Sequence, residues 1–116
     1  TRVILVESDV RKATFLRQSV AILDLNCQIH NARIETLSLP LAETMSARAL
    51  APLPKLLEFS HCLVEADGVC LLMKGQSYRE ELAAARQSWS FDCDVIKSRT
   101  NADAAVLKIR NIQRAA

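Results

Sequence analysis

Glycine is scarce in this chain of 116 residues, where only Gly68 and Gly75 occur. An α/β domain that binds a nucleotide usually carries a glycine-rich turn directly after its first strand. No such turn is present. Either the chain binds no nucleotide, or the first strand and its turn are missing from it.

The sequence also lacks the patterns typical of zinc sites, secreted disulfide frameworks and membrane spans. No pair of its four cysteines has CxxC spacing, and His30 and His61 complete no zinc pattern. The apolar surroundings of Cys27, Cys62 and Cys70 favour buried free thiols in a reducing compartment. No signal peptide opens the chain, and no apolar run approaches the ~18 residues of a membrane helix. We therefore expect a cytoplasmic protein with no metal and no membrane partner.

Charge of one sign does not dominate. Lys and Arg total 15 and Asp and Glu total 13, a formal net charge of +2. A protein that binds nucleic acid through its overall charge has a larger excess of cations. A site for a polyanion would therefore depend on where the cations lie. Half of the residues are hydrophobic, which predicts a folded single domain over residues 1–116.

A continuous apolar run, Val3–Val6, opens the chain and ends abruptly at Glu7. Such a run predicts a strand buried on both faces, as in a parallel sheet. Ser8 or Asp9 can cap a helix that begins near Val10. A carboxylate at the end of such a strand can bind ribose hydroxyls; the alternative is that Glu7 only marks the strand's exit into water.

The remaining pattern predicts the order β-α-β-β-α-β-α-β-β. After the first strand come a helix over 10–25, strands over 27–31 and 43–47, a helix from 52–54 to about 66, a strand over 69–73, a helix over 78–87, and strands over 91–98 and 104–112. Asn26 and Gly68 are expected to end the first two helices, and Ser77 with Glu80 matches a capping box. The alternation predicts a mostly parallel α/β sheet, and the short final connection predicts an antiparallel hairpin.

Charged residues follow each predicted parallel strand. They are Glu7, Arg11 and Lys12 after the first strand, Arg33 and Glu35 after the second, Arg48 after the third and Lys74 after the fourth. Because the carboxyl ends of parallel strands form the ligand crevice of an open sheet, we expect a binding site there. The alternative is that strand ends are simply where polar residues belong. Glu80 and Glu81 are interpreted as a solvated helix face with a capping role.

Four segments read Leu-Val-Glu-Ser with Arg-Lys and Phe-Leu-Arg over 5–17, Ala-Arg-Ile-Glu over 32–35, Ala-Arg-Ala-Leu-Ala-Pro-Leu over 47–53, and Leu-Met-Lys-Gly over 72–75. Together they resemble the RsmG (GidB) family of bacterial 16S ribosomal RNA guanine-N7 methyltransferases. The resemblance covers nearly the whole chain but only the carboxyl-terminal part of the family. Its glycine-rich loop, first strand and amino-terminal helices are absent, which puts independent activity of this chain in doubt.

The resemblance implies a fold, a cofactor and roles for individual residues. The fold would be a Rossmann-like class I methyltransferase sheet, here incomplete, and the cofactor S-adenosyl-L-methionine. Glu7 would bind the cofactor's ribose, Ile34 and Glu35 its adenine end, and Arg48 its methionine end and the target base. Arg11, Lys12 and Lys74 would face RNA, so the implied partner is 16S ribosomal RNA or the small ribosomal subunit.

Two other functions stay open at this point. A nicotinamide-dependent oxidoreductase would also use Glu7 on ribose, although the closing hairpin argues against it. A non-catalytic interaction module, or an inactive fragment, could keep the same fold. In the sheet that the resemblance implies, the missing strand lies between the strands over 3–6 and 43–47. We therefore expect a fragment of a longer protein, or that these two edges meet each other or another copy.

Overall fold

The chain divides into two compact units, residues 1–38 and 39–116. The computed structural model describes residues 2–48 and 51–115. The first unit holds β1 (Val3–Val6), α1 (Val10–Leu23), β2 (Cys27–His30) and a short 3-10 helix (Ile34–Thr36). The second holds β3 (Ala42–Arg48), α2 (Leu53–Leu63), β4 (Val64–Lys74), α3 (Tyr78–Ala85), β5 (Trp89–Lys97) and β6 (Ala105–Arg114). This order confirms the predicted one, whereas a single domain over 1–116 stays a prediction.

In the first unit, β1 and β2 pair in parallel, from Val3 opposite Cys27 to Val6 opposite His30. Asp9 caps α1, because its carboxylate accepts a hydrogen bond from the Lys12 amide at 3.1 Å. The helix ends at Leu23, two residues earlier than predicted. Asp24, and not Asn26, takes the left-handed conformation that closes it, with φ of 51° and its amide bonded to the Val20 carbonyl. Aspartate tolerates this conformation almost as well as asparagine.

The second unit contains a four-stranded sheet in the order β3-β4-β6-β5. β3 is parallel to β4, whereas β6 is antiparallel to both β4 and β5, which confirms the closing hairpin. Among the strands that the structure describes, β1 and β3 each pair on one side only. The strand expected between them stays a prediction.

The core of the second unit lies between one face of this sheet and α2. Leu53, Leu56 and Leu57 of α2 are at most 1% exposed, as are Leu107 and Ile109 of β6. β1 is not buried on both faces as expected, since Val3 is 44% exposed. The continuous apolar run over 69–73 predicts a buried strand, but burial alternates along β4. Cys70 and Leu72 are buried there, but Met73 is 42% exposed. The prediction of three buried thiols also fails, since Cys62 is exposed.

α2 ends at Leu63, and Gly68 lies within β4 instead of closing the helix. The register of β3 and β4 shifts between the pairs Ala42–Val64 and Thr44–Val69, so β4 bulges there. A Cβ on Gly68 would overlap the Val64 side chain and lie 3.0 Å from the carbonyl oxygens of Glu43 and Glu65. Glycine is required here by close packing of this bulge, a constraint that sequence alone does not distinguish from a helix end.

The predicted capping box at the start of α3 is also wrong, because the Ser77 side chain makes no cap hydrogen bond. Within residues 2–48 and 51–115, no helix is long and apolar enough to cross a membrane.

Gly68→Ala should destabilise the protein by about 1–3 kcal/mol, because the added methyl group must displace Val64 and two backbone carbonyls. Gly75→Ala is the matched control, since a Cβ there meets nothing within 4 Å. Urea unfolding of both variants measures the difference. Equal free energies of unfolding for the two would contradict the close packing inferred at Gly68.

Candidate functional site

The end of β2 fixes Glu7 in place. The Glu7 amide donates to the His30 carbonyl at 3.0 Å, and the Glu7 carbonyl accepts from the Ala32 amide at 3.1 Å and from Asn31 Nδ2 at 2.9 Å. Glu7 Oε1 accepts a hydrogen bond from the Asp9 amide at 3.1 Å. Glu7 Oε2 has no partner among the described residues, so a half-buried carboxylate keeps one oxygen available to a ligand.

An open depression of ≈ 380 Å³ borders this carboxylate. Its lining consists of Glu7, Arg11, Lys12, Phe15 and Leu16. Arg11 and Phe15, like Lys12 and Leu16, are four residues apart on α1 and therefore project from the same side of the helix. The structure thus brings together three of the predicted site residues, Glu7, Arg11 and Lys12. The lining also includes the ring of Phe15, which is 67% exposed and was not among the predicted site residues.

Ile34 and Glu35 lie in the short 3-10 helix after β2. A Thr36 side chain that donates to the Arg33 carbonyl at 2.8 Å secures this turn. Ile34 is half-buried and Glu35 is exposed. Neither belongs to the lining of the Glu7 depression, so their predicted adenine contacts stay predictions.

Arg48 is the last residue of β3 and lies opposite Met73 of β4. Its side chain is exposed and makes no hydrogen bond or ion pair with any residue that the structure describes. A guanidinium in this state offers a planar fork of donors to a carboxylate or a phosphate. Its predicted role toward the cofactor and the target base is compatible with this geometry and stays a prediction.

Lys74 is engaged within the protein. Its ammonium donates to Glu81 Oε1 at 2.9 Å and to the Ala51 carbonyl at 2.8 Å, and its side chain is only 9% exposed. The interpretation of Glu81 as part of a solvated helix face is therefore wrong. The predicted RNA contact of Lys74 stays untested, but this ammonium already has two partners.

Glu81 also completes the start of α2. The N-cap of this helix is Pro52, which has no side-chain acceptor for the first free amides. Glu81 Oε1 supplies it, accepting a hydrogen bond from the Leu53 amide at 3.0 Å. The Lys74–Glu81 pair therefore holds residues 51–53, the segment that begins three positions after Arg48. A proline at the N-cap position was the one sequence signal that an external acceptor is needed.

Within the described parts of the chain, no three His, Cys, Asp or Glu side chains come close enough to hold a metal ion.

A comparison with protein families identifies the family of this chain. Residues 1–111 match the model of the family described as rRNA small subunit methyltransferase G. The chain belongs to this family. A relative of that name from Cereibacter sphaeroides is 44% identical over 110 residues, covering 95% of this chain and 53% of the relative. The chain thus spans about half the length of the curated relatives it matches.

Solved structures agree on the fold. The ribosomal protein L11 methylase of Lactobacillus delbrueckii subsp. bulgaricus superposes with a TM-score of 0.75 at 16% identity, covering 96% of this chain and 58% of that one. TYW2 of M. jannaschii, solved in complex with AdoMet, gives 0.69 at 16% identity and covers 98% of this chain and 58% of that one. This chain therefore has the Rossmann-like class I methyltransferase fold that its sequence predicted, with an incomplete sheet.

Lys74→Met should lower the free energy of unfolding by about 3 kcal/mol, because it leaves the Glu81 carboxylate without its cation in a largely buried position. Lys55→Met is the matched control. Lys55 pairs with Glu58 at 3.5 Å, but both side chains are 49% exposed, so the loss should stay within about 0.5 kcal/mol. Urea unfolding measures both variants, and equally small losses would show that the Lys74–Glu81 pair is not structural.

Proposed function

We propose that the full-length gene product transfers a methyl group from S-adenosyl-L-methionine to guanine N7 of 16S ribosomal RNA. The observation that carries the proposal is the family match over residues 1–111, which includes the strand ends bearing Glu7 and Arg48. Because the substrate is ribosomal RNA, the activity belongs to the bacterial cytoplasm.

The residues of the first unit suit the ribose end of this cofactor. Glu7 is half-buried, its backbone is held by β2, and one carboxylate oxygen accepts from no donor in residues 2–48 and 51–115. Two adjacent ribose hydroxyls would donate charge-assisted hydrogen bonds to it. Ile34 and Glu35 are proposed for the adenine end, Ile34 partly through its backbone.

The residues of the second unit have positioning roles. When bound, the cofactor supplies an electrophilic sulfonium methyl group, which the lone pair of guanine N7 can accept without loss of a proton. No general base is therefore required of the chain, and correct alignment of the two reactants can supply most of the acceleration. We assign the alignment to Arg48, because its guanidinium is exposed and unpaired among the described residues. In the first unit, Arg11 and Lys12 are proposed to contact RNA phosphates.

Glu7→Ala should weaken S-adenosylmethionine binding by roughly 1.5–3 kcal/mol, because two charge-assisted hydrogen bonds are lost. Isothermal titration calorimetry on the full-length gene product measures the change. Glu58→Ala removes an equally charged but exposed side chain and should leave the affinity unchanged. Unaltered affinity in Glu7→Ala would remove Glu7 from the cofactor site.

Arg48→Lys should lose most methyl transfer, more than about tenfold, with little change in Tm, because an ammonium cannot reproduce the guanidinium fork. Mass spectrometry of 16S ribosomal RNA counts the methylated guanine. Arg110→Lys is the control, since Arg110 is also exposed on the same sheet. A fully active Arg48→Lys variant, or one that unfolds, would contradict the assignment.

A further inference from the structure

Two exposed cations converge on one buried tyrosine at the start of α3. Arg79 Nε donates to the Tyr78 hydroxyl oxygen at 3.2 Å, and its guanidinium lies 5.6 Å from the centre of the Tyr78 ring. The Lys97 ammonium lies 5.9 Å from the same centre. Tyr78 is only 6% exposed, whereas Arg79 and Lys97 are exposed. We call Arg79 and Lys97 the Tyr78 cation pair.

The Tyr78 cation pair has no acidic partner among the described residues. The ion pairs among the described residues are Lys55–Glu58 and Lys74–Glu81, so Glu81 is already occupied and the neighbouring Glu80 pairs with neither cation. The hydrogen bond from Arg79 lowers the pKa of Tyr78 below its ordinary value, and Lys97 acts in the same direction against the effect of burial. Two like charges therefore face one neutral phenol, an arrangement that an added anion would stabilise.

The sheet places this pair at the same edge as Arg48. Lys97 ends β5 and lies opposite Ala105, which in turn lies opposite Lys74 at the end of β4. Arg48 ends β3 opposite Met73. Since β3, β4 and β5 run in the same direction, their carboxyl ends share one edge. From β3 to β5 there are three strand spacings, or about 14 Å.

We propose that Arg79 and Lys97 bind a backbone phosphate of the RNA substrate above Tyr78. The inference rests on the proposed function and deepens it by naming the surface that holds the RNA. The Arg79 fork and the Lys97 point charge can share the oxygens of one phosphate. Lys74, at the same edge, is held by Glu81 and the Ala51 carbonyl. We therefore assign the RNA contact predicted for Lys74 to the Tyr78 cation pair. Such a contact fixes the register of the RNA and leaves the choice of base to the reaction site.

The test measures binding of a protein-free 16S ribosomal RNA transcript by the full-length gene product between 50 and 300 mM salt. The variant Arg79→Ala with Lys97→Ala should bind at least about tenfold more weakly at the lowest salt. The slope of log Kd against log salt should fall by about 0.7–0.9, the contribution of one phosphate. A purely structural defect would not change this slope. The control Lys55→Ala with Arg110→Ala removes the same charge elsewhere and should keep the slope.

The single variants Lys97→Ala and Arg79→Lys keep the test decisive if the double variant fails to fold. Lys97→Ala should lower the slope, and Arg79→Lys should preserve it. Unchanged slope and affinity in the Ala variants, while the unaltered protein binds and methylates RNA, would overturn this inference and leave the proposed function intact. If the Ala variants bind and methylate free RNA normally but no longer bind small ribosomal subunits, the Tyr78 cation pair contacts a ribosomal protein. That result would also overturn the inference. Failure of the unaltered protein to bind or methylate either the transcript or small ribosomal subunits would overturn both.

Discussion

The ion pair between Lys74 and Glu81 connects the main elements of the second unit. Lys74 ends β4, the central strand next to both β3 and β6, and Glu81 lies on α3. Between them they satisfy the Leu53 amide and the Ala51 carbonyl, so the strand, α3 and the start of α2 meet in one polar cluster. A largely buried ion pair contributes little net stability when intact, because desolvation offsets its attraction. The pair instead fixes the positions of β4, α3 and the start of α2. Any displacement would leave the two charges and the two backbone groups without hydrogen-bond partners.

The fold was predictable from the sequence wherever local pattern and tertiary environment agree. The apolar run Val3–Val6, the alternation of Ala105, Leu107 and Ile109, and the short link between β5 and β6 each determine an element directly. The prediction failed at Gly68, because glycine favours a helix end and a tight bulge equally well. It also failed at Met73, because a run of apolar residues does not show which faces of a sheet are covered.

The site was predictable to the extent that strand ends locate it. Glu7, Arg11 and Lys12 lie together because a strand, a turn and the first turns of a helix are close in sequence. Glu81 could not be assigned in this way, because its partners lie 7 and 28 residues away and only the packing of α3 near α2 brings them together. The Phe15 ring was overlooked for a different reason, since an exposed aromatic residue on an amphipathic helix carries no distinctive spacing.

At the sheet edge, burial and not residue type determines whether a cation is paired within the protein or stays open to a ligand. Lys74 is nearly buried, so an unpaired ammonium there would be costly, and the fold supplies it with a carboxylate and a carbonyl. Arg48, Arg79 and Lys97 are exposed, and water compensates their charge at little cost to folding. Exposed cations without a carboxylate partner among the described residues are the ones whose hydration a ligand phosphate or carboxylate can replace. Residue type and strand position alone had placed Lys74 in that group, although its ammonium already has two protein partners.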